Sequence, residues 1–312
     1  MLRVFIVLSL LFIGVQACKM NWVYGQSSDA CIMIDGKKRE FRYFIPSHAK
    51  GVNLPLLIAL HGGGGNPKRF EAYSRFSELS MKGASYIVVY PKGVDKHWND
   101  GRSNVNSTVD DVKFISRLIE ILPHVLKEEV YVTGMSNGGL MTQRLACDTS
   151  LNINGIAVVG ATMSLDLHKS CENRNPMQAL FIFGTEDNVF LDNGKLVNPI
   201  KPSNVRGYHI GIDKTLAYWK RRNLCKSSSA RKELNEYTKK WGKFKDDETK
   251  VHVIEYKGCN KKLKYYKVEG GGHRWPDKKA SNGFIIKKLV GKASLEMSSA
   301  DEIIEFFGLI KR

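Results

Sequence analysis

The segment Gly134-Met135-Ser136-Asn137-Gly138 has the residue types that can turn a serine into a nucleophile. A serine hydroxyl reacts poorly unless the backbone holds it clear of its neighbours and a base takes its proton. A tight strand-to-helix turn does this, and it needs small residues at positions such as 134 and 138. A β-rich run precedes the segment and a helix-competent run follows it. The sequence therefore predicts Ser136 as the nucleophile of an acyl-transfer reaction.

The acid partner of such a serine is expected after it, on the loop that follows a later strand. The apolar run Ala179–Phe183 ends at Gly184-Thr185-Glu186-Asp187. We expect Asp187 to hold the imidazole of the base in one tautomer. Glu186 is the rival acid, and Asp192 is a more distant one.

The base is expected last in the chain. The run Leu263–Val268 leads through Glu269 and three glycines to His273, which we expect to take the serine proton and return it to the leaving group. The rivals either precede Ser136 or lack a glycine-rich turn late in the chain; they are His48, His61, His97, His124, His168, His209 and His252.

Four glycines directly follow another predicted strand, in the segment His61-Gly62-Gly63-Gly64-Gly65. Glycines allow the backbone to approach a ligand closely. An oxyanion that forms on a substrate carbonyl needs preorganised amide donors. We expect one donor at Asn137, where the helix after the turn begins, and the second at Gly63, with Gly62 and Gly64 as alternatives.

These residues must be positioned by strands that alternate with helices. Short apolar runs predict buried strands, and helical spacing occurs over Val109–Leu122, with Thr108 or Asp110 as its cap, and over Leu140–Cys147. This order predicts the α/β class, with a mostly parallel central sheet and helices on both faces. The predicted strands are at 40–45, 55–60, 86–90, 130–133, 156–159, 179–183, 251–256 and 263–268.

The chain has neither an internal repeat nor a flexible linker composition. We therefore expect residues 18–312 to form a single catalytic domain, in which the polar stretch 226–250 is a basic surface insertion.

The first 17 residues have the layout of a secretory signal peptide, with Arg3 before the apolar run Val4–Val15. That run is too short to span a bilayer. We expect an exported protein, extracellular or periplasmic. Two fates of Cys18 stay open. Residues 15–18 resemble a bacterial lipobox, which would make Cys18 a lipid anchor, whereas cleavage without lipid would leave Cys18 to pair with Cys31.

Cysteine and charge content limit the partners. The six cysteines form an even set, which in an exported chain favours disulfides, although spacing does not fix the pairing. Their positions suggest no metal, and we expect no cofactor. The net charge of +17 is concentrated between Lys220 and Lys267. Acidic residues interrupt these lysines and no nucleic-acid-binding motif accompanies them, so a solvated face, or contact with an anionic surface, is favoured over nucleic-acid binding.

Six segments together resemble the secreted poly(3-hydroxybutyrate) depolymerase-like and feruloyl-esterase-like α/β-hydrolases. The combination spans residues 60 to 276 and is far more specific than the serine motif alone. The segments are Leu60-His61-Gly62-Gly63-Gly64-Gly65-Asn66, Trp98-Asn99-Asp100-Gly101-Arg102, Val109-Asp110-Asp111-Val112, Gly134-Met135-Ser136-Asn137-Gly138-Gly139, Gly184-Thr185-Glu186-Asp187 and Gly270-Gly271-Gly272-His273-Arg274-Trp275-Pro276.

The resemblance implies an α/β-hydrolase fold, and it makes a catalytic triad of Ser136, Asp187 and His273. It also implies disulfides that pair Cys147 with Cys171 and Cys225 with Cys259. Trp98 and Trp275 lie in motifs near the active site of the family. Their rings are expected either to receive an acyl or aryl group or to pack in the core. The lysine-rich stretch 226–250 departs from the family pattern.

Together these features predict a secreted serine esterase that needs neither metal nor cofactor. Its expected substrates are hydroxyalkanoate oligomers or polymer, or feruloyl or acetyl esters, without a choice among them. A serine peptidase of the same fold and a catalytically silent, surface-binding homologue are the alternatives. The oligomeric state is not indicated by the sequence.

Overall fold

The computed structural model describes residue 18, residues 20–234 and residues 248–310. The signal peptide predicted for residues 1–17 lies outside the described residues. In the described ranges the strands are β1 (Ser27–Ile34), β2 (Lys37–Phe44), β3 (Leu54–Leu60), β4 (Ile87–Pro91), β5 (Val125–Met135), β6 (Gly155–Val159), β7 (Gln178–Gly184), β8 (Lys195–Val197), β9 (Val205–Tyr208), β10 (Ser227–Leu234), β11 (Lys250–Lys257) and β12 (Leu263–Glu269).

Both predicted helical stretches, 109–122 and 140–147, contain a helix, and the described ranges hold six further α-helices. Asn66 caps the first described helix, because its Oδ1 accepts from the Arg69 amide at 2.9 Å, and Asp110 caps the third by accepting from the Lys113 amide. The helices are α1 (Pro67–Ser74), α2 (Phe76–Met81), α3 (Asp111–Ile121), α4 (Asn137–Cys147), α5 (Leu165–Ser170), α6 (Ile212–Arg222), α7 (Phe284–Val290) and α8 (Ser299–Phe307), with 3₁₀ turns at Ser47–Ala49 and Val94–Lys96.

The central sheet has the strand order β1-β2-β4-β3-β5-β6-β7-β12-β11-β10. The six strands from β4 to β12 in this order pair in parallel, and antiparallel strands extend the sheet at both edges. Parallel strands need crossover connections, which the helices supply. The prediction of a mostly parallel α/β sheet is confirmed.

Helices cover both faces of this sheet, because strand residues alternate between two apolar cores. In β3, Leu56, Ile58 and Leu60 pack on the face that α3, α4 and α6 cover, while Leu57 and Ala59 pack on the face that α1, α2 and α8 cover. All five are completely buried. A strand buried on both sides reads as a continuous apolar run, which is why β3 is visible in the sequence.

Two elements differ from the predictions. Strand β5 begins at Val125, not at 130, because a bulge places the polar residues 127–129 at the surface, where they interrupt the apolar run. The predicted insertion 226–250 starts as β10, an edge strand that pairs antiparallel with β11. Its central part, residues 235–247, lies outside the described residues.

Three disulfides staple the chain: Cys18–Cys31, Cys147–Cys171 and Cys225–Cys259. Of the two fates left open for Cys18, the structure contains the disulfide, whose sulfur cannot also form the thioether of a lipid anchor. Across the ranges that the structure describes, every helix is too short or too polar to cross a bilayer.

Candidate active site

The turn between β5 and α4 holds Ser136 in a backbone conformation that side chains rarely adopt, with φ 56° and ψ −121°. A Cβ atom at Gly134 would lie 2.3 Å from the Gly138 carbonyl oxygen, and one at Gly138 would lie 2.3 Å from the Leu60 carbonyl oxygen. Glycine is therefore required at both positions. The strain is sustained by packing on both sides, and it presents the Ser136 hydroxyl at the carboxyl edge of the sheet.

The structure brings Ser136, His273 and Asp187 into one hydrogen-bonded chain. His273 Nε2 lies 2.8 Å from Ser136 Oγ, and His273 Nδ1 lies 2.8 Å from Asp187 Oδ2. With Nδ1–H donating to the carboxylate, Nε2 is free to accept the serine proton. The three residues come from three different loops, each at the carboxyl end of a parallel strand: β5, β7 and β12.

The Asp187 carboxylate is fixed by its own loop. Its Oδ1 accepts from the amides of Val189 at 2.8 Å and Phe190 at 3.0 Å, which leaves Oδ2 for the imidazole. The Phe190 ring also stacks against His273, with ring centroids 5.8 Å apart. Glu186, the rival acid, is exposed, and its backbone amide donates a hydrogen bond to the Gly271 carbonyl. The geometry thus selects the aspartate.

The glycine loop runs directly over the nucleophile turn. A Cβ atom at Gly62 would lie 3.5 Å from Ser136 Cβ, and one at Gly63 would lie 3.6 Å from Asn137 Cβ. The Gly64 amide donates to the Lys96 carbonyl and the Gly65 amide to the Gly62 carbonyl. Within the part of the chain that the structure describes, the amides of Gly62, Gly63 and Asn137 have no acceptor. These three remain as donors for an oxyanion, and Gly64 does not.

His61 holds this loop in place as a neutral imidazole. The Gly93 amide donates to its Nε2 at 3.1 Å, so the proton sits on Nδ1, which donates to the Gly62 carbonyl at 2.8 Å. Burial lowers the pKa of His61 to about 4, and nearby His97 and Lys92 act in the same direction. The residue therefore positions the loop and is not available as a base.

A buried ion pair that the sequence analysis did not assign anchors Asn137. Asp100 accepts from Arg102 Nη2 at 2.6 Å and from Asn137 Nδ2 at 2.6 Å, and all three side chains are buried. Asn137 Oδ1 in turn accepts from the Trp98 amide at 2.8 Å. The segment Trp98–Arg102 is one of the six that resemble the hydrolase family. Its residue spacing was the signal in the sequence that could have identified this ion pair.

The two tryptophans have different surroundings. Trp98 is completely buried, and its indole N–H donates to the His61 carbonyl at 2.8 Å. It does not line the cleft, so the expectation of a substrate contact is not met at this position, and the packing alternative describes it. Trp275 lines the cleft, but it is only 5% exposed and packs in T-shaped pairs with Phe70, Tyr73 and Phe76, so the packing alternative also describes this residue.

A cleft of about 1010 Å³ opens above the serine. Its lining includes the β8–β9 hairpin with Val189 and Phe190, and residues between Trp275 and Val290. Of these, only Trp275 was expected from the sequence, because the hairpin and α7 are short elements within long connections. Among the residues described, no cluster of three or more His, Cys, Asp or Glu side chains is arranged to hold a metal ion.

Comparisons with known proteins agree with this architecture. No protein-family model matches the chain. The chain is 22% identical to the “Putative esterase NocK” of Nocardia uniformis subsp. tsuyamanensis, over 88% of its own length and 80% of that protein. It is 24% identical to feruloyl esterase B of Piromyces equi over 74% of its length, but this match spans only 41% of the relative.

The fold is also that of a solved esterase structure. Acetyl xylan esterase from Aspergillus awamori superposes with a TM-score of 0.56 and 12% identity, covering 90% of this chain and 99% of that one. By its sheet topology and this structural likeness, the chain has the α/β-hydrolase fold, and its sequence is similar to those of proteins named as esterases.

Proposed function

We propose that the chain is a serine esterase that works through an acyl-Ser136 intermediate. The observation that carries the proposal is the position of His273, whose two ring nitrogens each lie 2.8 Å from a partner, Ser136 Oγ on one side and Asp187 Oδ2 on the other. This arrangement couples a nucleophile to a base and orients the base.

In the acylation step, Ser136 Oγ attacks the ester carbonyl carbon while His273 Nε2 takes its proton. The carbonyl π electrons move to oxygen, and the resulting oxyanion accepts from the amides of Asn137 and Gly63. When the tetrahedral intermediate collapses, the carbon–alkoxy bond breaks and His273 returns the proton to the leaving alcohol. Asp187 stabilises the transient imidazolium.

In the deacylation step, water takes the place of the alcohol. His273 removes a proton from the water while the water attacks the acyl carbon, and the same two amides bind the oxyanion. The bond between the acyl carbon and Ser136 Oγ then breaks, and His273 returns the proton to Ser136 Oγ. All groups in both steps belong to the chain, the substrate or water.

The size and lining of the cleft favour a bulky ester. Its volume of about 1010 Å³ lies at the upper end of ordinary ligand sites. Phe190, Tyr73 and Trp275 are aromatic residues of its lining. An acetyl group would leave most of this apolar space unfilled, whereas a feruloyl group or a hydroxyalkanoate oligomer would contact it. We therefore propose these two ester classes ahead of acetyl esters.

The test is the variant Ser136→Ala, with Ser281→Ala, another serine of the cleft wall, as the matched control. Ester turnover should fall at least about 10⁴-fold in the first variant and stay near wild type in the second. A fluorophosphonate probe should label the wild type and the control only. Retained hydrolysis in Ser136→Ala would refute the acyl-serine proposal, and a wild type that the probe does not label would indicate the silent homologue.

Relative rates on methyl ferulate, 3-hydroxybutyrate oligomers, p-nitrophenyl acetate and a peptide amide identify the substrate class. Faster turnover of the first two than of the acetate supports the proposal. A preference for the peptide amide would instead make the chain a peptidase.

We further propose that residues 1–17 direct export and are removed, and that residues 18–312 act as one catalytic domain. The three disulfides support this, because such bonds persist in oxidising compartments. Mass spectrometry of the mature protein should find an N-terminus at Cys18 without a lipid. An intact leader or a lipidated Cys18 would contradict the proposal.

A further inference from the structure

Helix α7 is an apolar helix that has no buried residue. The relative exposure of Phe284 is 82% and that of Ile285 is 72%, and Ile286 and Leu289 are exposed as well. A surface helix normally turns its apolar residues toward a core. A contiguous exposed patch of this kind marks a surface that contacts something else.

The helix lies at the mouth of the cleft. Ile286 and Leu289 line the cleft, while Phe284 and Ile285 lie outside it. The side-chain amide of Asn188, the residue after the triad acid, donates to the Leu289 carbonyl at 2.7 Å, which ties the helix to the catalytic loop.

A second part of the cleft lining, the β8–β9 lip (residues 195–208), repeats these features. Ile200, at 72% exposure, and Val205 line the cleft from this lip. Lys201 and Arg206 accompany them, and the sequence from Leu196 to Arg206 contains no acidic residue. Exposed apolar side chains therefore line the cleft from both α7 and the β8–β9 lip.

The charge around α7 is mostly positive. Residues 278–295 contain five lysines and no aspartate or glutamate. Glu248 pairs with Lys292 and lies 3.9 Å from Lys287, which offsets part of this charge. A surface that combines exposed apolar residues with excess lysine matches an anionic lipid interface. A neutral polymer surface would use the apolar residues alone and would gain nothing from the excess positive charge.

We propose that α7, together with the β8–β9 lip, docks the protein onto an anionic lipid surface, with the cleft mouth facing the lipid. Phe284 and Ile285 enter the boundary between headgroups and acyl chains. The lysines of the segment meet anionic headgroups.

The test is co-sedimentation of the full mature chain with vesicles of phosphatidylcholine alone and of phosphatidylcholine with phosphatidylserine. We expect binding to the anionic vesicles that weakens as salt rises. The double variant Phe284→Ser/Ile285→Ser should bind at least about tenfold more weakly. Lys287→Gln/Lys288→Gln should bind roughly 25-fold more weakly, since each lysine near such a surface contributes about fivefold.

Val52→Ser/Met81→Ser is the matched control, because it removes two exposed apolar side chains that do not line the cleft. It should bind vesicles like the wild type. Soluble p-nitrophenyl acetate should be hydrolysed equally by the wild type and Phe284→Ser/Ile285→Ser. The vesicle measurement requires no hydrolysis, so its outcome is independent of the proposed catalytic function.

Three outcomes would overturn the proposal. Equal binding to both vesicle types would show that anionic headgroups do not contribute to binding. A fall in thermal stability of Phe284→Ser/Ile285→Ser without lipid would mean that another segment of the chain covers the helix. Concentration-dependent association that the same variant abolishes, without vesicle binding, would make the surface a contact between copies of the chain.

Discussion

Replacing Asp100 with asparagine tests how the nucleophile turn is held. The carboxylate is completely buried and accepts from Arg102 Nε at 3.0 Å and Nη2 at 2.6 Å, and from Asn137 Nδ2 at 2.6 Å. The substitution keeps the shape but removes the charge, so Arg102 becomes a buried cation without a counter-ion. The amide group that Asp100→Asn introduces also competes with the Asn137 side chain for the position that this side chain occupies.

The magnitude follows from the burial of the pair. Because the Arg102 and Asp100 side chains are only 3% and 0% exposed, solvent screening gives little relief. Breaking a buried pair on one side costs about 3–5 kcal/mol. A displacement of the Asn137 amide by about 1 Å would lower kcat by up to roughly 100-fold. KM should change little, because in the proposed mechanism the amide binds the oxyanion and not the ester of the bound substrate.

The assay combines urea unfolding with ester kinetics. Beside Asp100→Asn, the variants Asp100→Leu, Arg102→Met and Asp100→Leu/Arg102→Met form a double-mutant cycle. The double variant should recover most of the stability, since it removes both charges, but not kcat, since Asn137 still lacks its acceptor. Wild-type stability and kinetics in Asp100→Asn would refute the reasoning. Recovery of kcat in the double variant would show that the loss of kcat in Asp100→Asn came from lower stability and not from a displaced Asn137 amide.

Three further predictions concern the scaffold. In the folded chain the pKa of His61 is lowered to about 4 from 6.5, so the unfolded chain binds the proton first as pH falls. About 3 kcal/mol of the free energy of unfolding is therefore lost between pH 6.5 and pH 4. Urea unfolding of His61→Asn should show a correspondingly smaller loss over this pH range. Gly138→Ala places a Cβ atom 2.3 Å from a carbonyl oxygen and should destabilise by about 3 kcal/mol in thermal unfolding, whereas Gly283→Ala, which has open space, should not. Removing the Cys147–Cys171 disulfide, with its sequence separation of 24, should cost about 3 kcal/mol in the same measurement; an unchanged midpoint would contradict its structural role.

The central strands and the nucleophile turn were predictable because their signals are local. A strand that is buried on both faces must be apolar throughout, as β3 is, and a turn that brings two backbones within contact distance must be glycine at 134 and 138. The order of acid and base follows from the order of the strands. These features require only the sequence, because each depends on neighbouring residues.

The choice among side chains depended on the tertiary structure. Asp187 and Glu186 are adjacent in sequence, and only the bonds to the Val189 and Phe190 amides turn the aspartate inward, toward a histidine 86 positions away. The burial of Trp98 likewise depends on packing between distant segments. Sequence patterns encode backbone preference and average burial, whereas contacts between remote loops are fixed by how the sheet brings them together.

The sequence by itself thus determined the α/β class, the tight turn that holds Ser136 and the glycine loop that faces it. Tertiary structure decided which amides stay unpaired beside Ser136, which ion pair anchors Asn137, and which apolar residues remain at the surface. The apolar residues of α7 are the clearest case. Their composition predicts burial, yet the segment lies at the cleft mouth, where none of the described residues covers Phe284 and Ile285.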